Sequence, residues 1–293
     1  MRIKSVVYLV CFAIFVAIGH ILQKLVLNHG VDKLVFAFLR IIAGFTIISV
    51  ILFYKKYDPI KIVKRNYIHF LILGIGFSGI GILLKLWGIQ NTTAVNASFI
   101  MSLSSTAAVL FAFFFLGEIP SKRFYTVMAI MIFGVYLVTT GGKNIVPRKG
   151  DMIILFLAFF IGSMRVYGKK VLNTLSVIET AFGRSLFGTI FLFLLVLILS
   201  PEGFSTIKNW KILLLVLSNG ITFSGSIIFF YAALQNEGAS NSSMFSLLVP
   251  IFTLIFGFFI LGEKLSLVQL LGGVIILICS LLISRIKLRQ ANF

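Results

Sequence analysis

Acidic residues are scarce in this chain of 293 residues, which has 8 Asp and Glu against 26 Lys and Arg. Cysteine and histidine are also rare, at 2 and 3 residues. Cys11 and Cys279 lie in apolar stretches, so buried free thiols are the simplest interpretation. The scattered histidines form no H-E-x-x-H motif and no buried Asp pair accompanies them, which leaves neither a metal centre nor a catalytic constellation. We therefore expect no enzyme activity, no cofactor and no bound metal.

Long polar connectors are absent as well. With 59% hydrophobic residues and a mean hydropathy of +1.10, most of the chain is unsuited to water. Ten apolar runs are long enough to cross a bilayer as helices. They extend over residues 4–26, 32–53, 68–89, 94–116, 123–141, 151–171, 177–199, 210–234, 239–261 and 265–284. The sequence therefore predicts an all-α integral membrane protein with ten transmembrane helices.

The net charge of +18 does not indicate a nucleic-acid partner, because the basic residues are spread over several short loops instead of one soluble face. More of the loop Lys and Arg residues fall on the side of the N-terminus, with the largest group at 54–66. The positive-inside rule then predicts a multi-pass protein with both termini in the cytoplasm, in a bacterial-type inner membrane. The expected partners are membrane lipid and a small-molecule substrate, and a monomer is compatible with this arrangement.

The chain contains an internal repeat with a period of about 145 residues. GIGFSG at 74–79 returns as GITFSG at 220–225, and FFFLGE at 113–118 returns as FFILGE at 258–263. Each copy holds five apolar runs, and an odd number of crossings reverses the direction of the second copy. The sequence thus predicts two five-helix inverted-topology repeats around a central cavity, at 1–142 and 150–285, followed by a short basic tail at 286–293. In secondary transporters of this design the substrate lies near the membrane midplane, between the repeats.

The stretch GIGFSG also matches the G-x-G-x-x-G pattern of dinucleotide-binding loops. Here it lies inside an apolar run and does not join a strand to a helix, so a nucleotide site is excluded. Gly74 and Ser78 are four residues apart, as are Gly220 and Ser224, and this spacing lets membrane helices approach closely. We expect tight helix packing at these positions, with lining of a substrate path as the alternative.

Two five-helix halves with these motifs resemble the EamA domains of the drug/metabolite transporter superfamily. Each half ends its fourth run on Gly-Glu, and the pattern Q-N-x-x-A-x-N precedes that run at 90–96 and 235–241. The resemblance covers nearly the whole chain. The family pattern has a proline in the fourth helix of each half, which Pro250 provides in the second, whereas Ser105 stands at the aligned position in the first. Serines around Ser105 are expected to loosen the first copy of this helix instead.

Ionisable side chains inside membrane helices are candidate substrate or ion sites. Five basic residues qualify, and no Asp or Glu lies deep in any run. The resemblance implies that the first helix of each half lines the cavity, so His20 and Arg165 are candidates for substrate contact, with interhelical hydrogen bonding as the alternative. Lys85 is a third candidate unless it extends to the interface. Arg40 and Arg184 are predicted to be structural or gating residues that bond loop carbonyls or a carboxylate.

Aromatic and amide side chains near these helices complete the predicted substrate-binding set. They are Trp87, Asn96, Tyr167, Tyr231, Gln235 and Asn241. For Trp87, anchoring at the membrane interface is the alternative.

Glu118, Glu263 and Pro250 are predicted to have structural or gating roles in the fourth helices. A carboxylate is unfavourable at a helix C-terminus, so we expect a nearby cation to compensate it, such as Lys264 beside Glu263.

A cavity that contains His and Arg without acidic residues favours a carboxylate or another anion over a bare cation. We therefore predict a secondary, alternating-access transporter of amino acids or small carboxylate-bearing metabolites, and the resemblance implies export or exchange. A channel or a lipid-translocating protein of the same architecture is the alternative.

Overall fold

The structure is a computed structural model. It describes residues 3–116, 118–119, 121–141, 147–245, 248–284 and 289–290. Within these ranges, the side chains at 3–6, 112–113, 115–116, 118–119, 169, 230–245, 284 and 289–290 are outside the description.

The described ranges contain twelve α-helices. They are α1 (Ile3–Asn28), α2 (Lys33–Tyr54), α3 (Pro59–Leu73), α4 (Gly81–Gln90), α5 (Ala94–Met101), α6 (Leu103–Leu116), α7 (Lys122–Thr140), α8 (Lys149–Leu172), α9 (Val177–Leu199), α10 (Trp210–Phe245), α11 (Leu248–Leu261) and α12 (Leu267–Ser284). A π-helix at Gly74–Ile80 joins α3 to α4, and a 3₁₀-helix at Pro201–Thr206 follows α9. Two short antiparallel strands, β1 (Glu118–Ile119) and β2 (Arg289–Gln290), pair with each other.

Eight helical stretches are long and apolar enough to cross a membrane, and two shorter apolar helices lie at Leu248–Leu261 and Leu267–Ile283. The chain is therefore an integral membrane protein, and its predicted helical character is confirmed in the described ranges. The stretch Pro59–Gln90 counts as one span although it combines α3, the π-helix and α4. The number of ten crossings stays a prediction.

Local capping explains several helix starts. Asp32 accepts hydrogen bonds from the amides of Leu34 and Val35 at the start of α2. Ser176 and Glu179 form a reciprocal capping box at the start of α9.

Two predicted boundaries differ from the structure. The predicted run at 94–116 is interrupted at Ser102. The hydroxyl of Ser102 donates to the carbonyl oxygen of Phe99 at 2.6 Å, and serines that bond to the preceding turn in this way bend helices. The interruption agrees with the loosening expected from the serines around Ser105. The predicted break at 235–238 is absent, because α10 continues to Phe245. In the first half Thr93 caps α5 through the amide of Asn96, whereas Gly238 at the aligned position has no side chain to cap with.

Helices of the two halves pack mainly across the boundary between the halves. Helix α1 contacts α10 and α11, and α8 contacts α4 and α6. Helix α2 contacts α9 and α10, and α7 lies along α12. The largest buried apolar cluster accordingly combines residues such as Phe36 and Ile89 with Leu192 and Val216. The halves therefore share one core.

Glycines of the repeated motif lie at close helix crossings. A Cβ atom on Gly74 would lie 2.6 Å from Cβ of Phe187 on α9, and one on Gly220 would lie 2.6 Å from Cβ of Ala43 on α2. The predicted tight packing is thus confirmed, and it places the motif of each half against the second helix of the other. The first copy additionally widens into the π-helix, a local distortion that is frequent at functional sites.

Candidate functional site

A cavity of about 290 Å³ lies between the two halves. Helices α1, α2, α4, α8, α9, α10 and α11 contribute side chains to it, together with the π-helix and the segment around the α5–α6 junction. Its volume is at the lower end of the range for small-molecule pockets. The position agrees with a central cavity shared by both halves.

Five basic side chains line this cavity, and they are the five that the sequence singles out: His20, Arg40, Lys85, Arg165 and Arg184. The described lining includes no Asp or Glu. Apolar side chains, among them four phenylalanines, line the cavity beside these basic residues. Basic side chains without acidic ones make the electrostatic potential of the described lining positive.

Arg40 and Arg184 are equivalent residues of the two halves, and both pack on Phe223. The Cζ atoms lie 4.5 Å and 5.5 Å from the centroid of this ring, so they are no farther apart than the sum of these distances. Arg184 also lies 4.9 Å from the ring of Phe77. Two guanidinium groups at such a separation repel by on the order of 2 kcal/mol at an effective dielectric constant of about 20. An anion placed near them removes this repulsion.

Phe77 and Phe223 are missed by the sequence prediction, although a signal was available. Each is the phenylalanine of the repeated motif, at 74–79 and 220–225. Arg40 packs on the motif of the second half and Arg184 on that of the first, as a pseudo-twofold relation requires.

Serines on α6 and the π-helix provide polar contacts for the arginines. Arg165 donates from Nη1 to Oγ of Ser105 at 3.2 Å, and Arg184 donates from Nε to Oγ of Ser78 at 3.2 Å. Ser105 occupies the position of the proline in the aligned second half, so the departure from the family pattern supplies a hydrogen-bond acceptor at the cavity.

His20 and Arg40 are almost fully buried, with exposed fractions of 3% and 5%. Nδ1 of His20 and both Nε and Nη1 of Arg40 have no hydrogen-bond partner within the described part of the chain. Gln23, one turn after His20, also lines the cavity, and its Oε1 atom is unpartnered there as well. Polar atoms of this kind are costly to bury, which makes them candidates for contact with a ligand.

Three predicted substrate-binding residues lie away from the cavity. Trp87 is 46% exposed on the outer surface of α4. The hydroxyl of Tyr167 lies 2.7 Å from Nδ1 of His69, and Asn96 accepts a hydrogen bond from Nε2 of Gln269 at 3.3 Å. The side chains of Tyr231, Gln235 and Asn241 lie outside the described residues.

Of the predicted structural or gating residues, Pro250 lines the cavity from α11. Glu263 bonds to the start of α5, where its carboxylate accepts hydrogen bonds from the amides of Ala94 at 2.8 Å and Val95 at 3.0 Å. The N-terminus of a helix in the other half and the nearby ammonium group of Lys24 supply the compensating positive charge. Lys264, the expected cation, is exposed. The side chain of Glu118 lies outside the described residues.

Lys24 and Asp151 belong to the same end of the molecule and were not predicted. Nζ of Lys24 donates to the carbonyl oxygens of Ile89 at 2.8 Å and Gln90 at 3.3 Å, at the C-terminus of α4. Asp151 is fully buried in the first turn of α8 and accepts a hydrogen bond from Thr92. Both contacts join distant parts of the chain, and local sequence carries no signal for them.

Comparison with known proteins supports the architecture. The model of the EamA-like transporter family matches twice, at residues 3–140 and 148–285. A solved crystal structure superposes with a TM-score of 0.65 at 13% identity, covering 94% of this chain and 95% of the other. At this identity the likeness concerns the fold.

Similar proteins of known sequence are also described as transporters. An uncharacterized transporter of Methanothermobacter thermautotrophicus is 27% identical over 94% of this chain and 84% of its own length. The riboflavin transporter ImpX of Fusobacterium nucleatum is 26% identical over 82% of this chain and 84% of its own length. An uncharacterized transporter of Archaeoglobus fulgidus is 27% identical over 83% and 85%. With both halves matched by the family model, the chain belongs to the EamA-like transporter family.

Proposed function

We propose that the chain is a secondary, alternating-access transporter that carries a small carboxylate-bearing metabolite or an amino acid through the central cavity, as an exporter or exchanger. One observation carries this proposal: five basic side chains line a buried cavity whose described lining holds no acidic residue. His20, Arg165 and Lys85 contact the substrate in this scheme, and hydrogen bonds to charged groups make Arg165 the strongest of these contacts.

The orientation of the chain is part of the same proposal. In this proposal ten crossings in two inverted repeats keep both termini on one side, and the distribution of basic loop residues favours the cytoplasm of a bacterial-type inner membrane. The substrate then meets the cavity alternately from each side, as the halves rock against each other.

Saturable counterflow in liposomes tests the function. Purified protein is reconstituted with internal unlabelled substrate, and uptake of labelled amino acids, small carboxylates and riboflavin is measured. Riboflavin enters the panel because a relative is named for it. We expect saturable, exchange-stimulated uptake of one or more anionic compounds. Flux without saturation indicates a channel, and movement of labelled lipid between leaflets indicates a lipid-translocating protein; either result refutes the proposal.

Substitutions test the site within the same assay. His20→Ala and Arg165→Ala are each expected to raise KM or abolish counterflow, because each removes a donor from the cavity. His29→Ala and Arg65→Ala are matched controls, since both residues are exposed. If both cavity variants transport like wild type, the assignment of His20 and Arg165 is wrong.

A further inference from the structure

The equivalent arginines of the two halves differ in their hydrogen bonds. Arg184 donates from Nε to Ser78, whereas Nε and Nη1 of Arg40 have no partner in the described part of the chain. Ser224, which aligns with Ser78, donates instead to the carbonyls of Gly220 and Ile221 on its own helix, at 3.1 Å each. Of the two equivalent arginines, Arg40 therefore has N–H groups that are available to a substrate.

Arg40 is well placed to bind an anion. Its side chain is 5% exposed, lines the cavity, and is held over the face of Phe223. Stacking on the ring fixes the guanidinium plane, and a fixed plane favours two parallel hydrogen bonds to one carboxylate or phosphate group.

Further positive charge lines the same cavity beyond Arg40. Lys85 and Arg165 are contributed by α4 and α8, and the described lining offers no carboxylate to compensate them. A single negative charge at Arg40 leaves these groups uncompensated, and the ammonium group of an amino acid finds no carboxylate partner in the described lining. The charge balance therefore favours a second negative charge on the substrate over a positive one.

We propose that the substrate is a small dianion, with one anionic group bound by Arg40 and the other facing Lys85 and Arg165. This inference rests on the proposed transport function and narrows its substrate class. The shared chemistry is two negative charges on a compact molecule, either a dicarboxylate or a phosphate monoester. The cavity volume of about 290 Å³ suits a compound of this size.

The test compares compounds of similar size and different charge in the reconstituted protein. Succinate and glycerol phosphate are the two dianions, γ-hydroxybutyrate is the monoanion, and γ-aminobutyrate is the zwitterion. Succinate and the two butyrate derivatives share a four-carbon chain, so their comparison isolates charge. We expect saturable counterflow of at least one dianion with a KM at least about tenfold below that of either butyrate derivative, as expected for an added charge-assisted hydrogen bond. Preference for succinate assigns a dicarboxylate, and preference for glycerol phosphate assigns a phosphate ester.

Variants of Arg40 then locate the first anionic group. Arg40→Gln is expected to raise the KM of the preferred dianion by about tenfold or more, and Arg40→Lys by less, because lysine keeps the charge without the planar fork. Arg65→Gln, which neutralises an exposed arginine on α3, is the matched control and leaves KM unchanged. Elution as a single species in size-exclusion chromatography checks that each variant is folded.

The possible results distinguish failure of the dianion inference from failure of the proposed transport function. Saturable counterflow of a butyrate derivative without that of either dianion overturns the inference and leaves the proposed transport function in place. Lack of saturable counterflow for all four compounds overturns the inference, and counterflow of the wider panel of amino acids, small carboxylates and riboflavin then decides the transport function separately. An unchanged KM in a folded Arg40→Gln protein refutes the role of Arg40, and the panel on the wild-type protein decides the substrate charge even where that variant does not fold.

Discussion

Phe223 lies between two guanidinium groups that belong to different halves of the chain. The centroid of its ring lies 4.5 Å from Cζ of Arg40 and 5.5 Å from Cζ of Arg184. The negative face of an aromatic ring attracts such cations by about 0.5–2 kcal/mol, and it leaves their N–H edges available for hydrogen bonds. A phenylalanine therefore orients these arginines without neutralising them.

Phe223→Leu is expected to weaken substrate binding, because leucine fills space but has no quadrupole to orient the two arginines. The loss corresponds to a rise in KM of roughly two- to thirtyfold. Counterflow kinetics measure it, with Phe258→Leu as the control, since Phe258 is half exposed on α11. Equal kinetics for both variants would show that the ring does not orient the site.

Gly220 permits the close crossing of α10 and α2. Gly220→Ala places a methyl group 2.6 Å from Cβ of Ala43 and 2.7 Å from the carbonyl oxygen of Arg40, which costs about 1–3 kcal/mol of unfolding free energy. Gly168→Ala is the matched control, because a Cβ atom there meets nothing within 4 Å, and we expect it to be neutral or stabilising. Thermal unfolding in detergent compares the two. A Gly220→Ala protein as stable as the Gly168→Ala protein would contradict the close crossing.

Position around the helix axis explains which predicted residues reach the cavity. Successive residues of an α-helix are about 100° apart, so Trp87 points about 200° away from Lys85, and Tyr167 points about 200° away from Arg165. The structure follows this geometry, since Lys85 and Arg165 line the cavity and the two aromatic residues do not. All five basic residues singled out in the sequence line the cavity, because charge inside an apolar run is a strong signal, and their roles stay predictions. The sequence does not identify the hydrogen-bond partner of Tyr167, because this partner, His69, lies 98 positions earlier on another helix.

At the scale of elements, the break between α4 and α5 is held by charges at both helix ends. Lys24 bonds to the terminal carbonyls of α4, and Glu263 bonds to the first amides of α5. Each charge has the sign that the adjacent helix dipole favours. The contacts bring α1 and α11 to the same break, and this supports a structural or gating role for Glu263.

Glu263→Gln is expected to loosen the start of α5, because an amide is a weaker acceptor than a carboxylate and lacks its interaction with the dipole. The expected loss is about 1 kcal/mol of stability. Hydrogen exchange at the amides of Ala94 and Val95 measures it most directly and should become faster. Glu202→Gln in the exposed 3₁₀-helix is the control. Unchanged exchange at Ala94 and Val95 would exclude the proposed capping contact.

The exact boundaries and types of the helices cannot be predicted from the apolar runs alone. Apolar runs predicted most helices because burial in lipid requires long apolar segments. The runs do not reveal that α10 continues past 235–238, since this depends on the absence of a cap at Gly238. The apolar runs also do not predict the π-helix at Gly74–Ile80. The related motif at 220–225 is α-helical, so the motif by itself does not determine a π-helix.

At the scale of the whole molecule, the contact between α7 and α12 supports opposite orientation of the two halves. Helix α12 begins beside the end of α7, where Oγ of Ser266 donates to the carbonyl oxygen of Gly141 at 3.4 Å. The middle of each helix meets the other as well, since a Cβ atom on Gly134 would lie 3.0 Å from the carbonyl oxygen of Gly272. These two final helices of the halves are therefore antiparallel, as an inverted repeat requires.

The same contacts predict opposite membrane faces for Ser121 and Lys264. Helix α7 has 19 residues and is about 28 Å long, so Ser121 lies roughly one hydrocarbon thickness from the end at which α12 begins. Lys264 precedes α12 and is exposed, as is Ser121. The cysteines are first removed by Cys11→Ala and Cys279→Ala, and Ser121→Cys or Lys264→Cys is then introduced.

Labelling of these two proteins in sealed, oriented vesicles with a membrane-impermeant maleimide tests the central claim that two oppositely inserted halves enclose one basic cavity. One of the two cysteines should react in intact vesicles and the other only after permeabilisation. Reaction of both from the same side would contradict the inverted arrangement and, with it, a cavity shared between the halves.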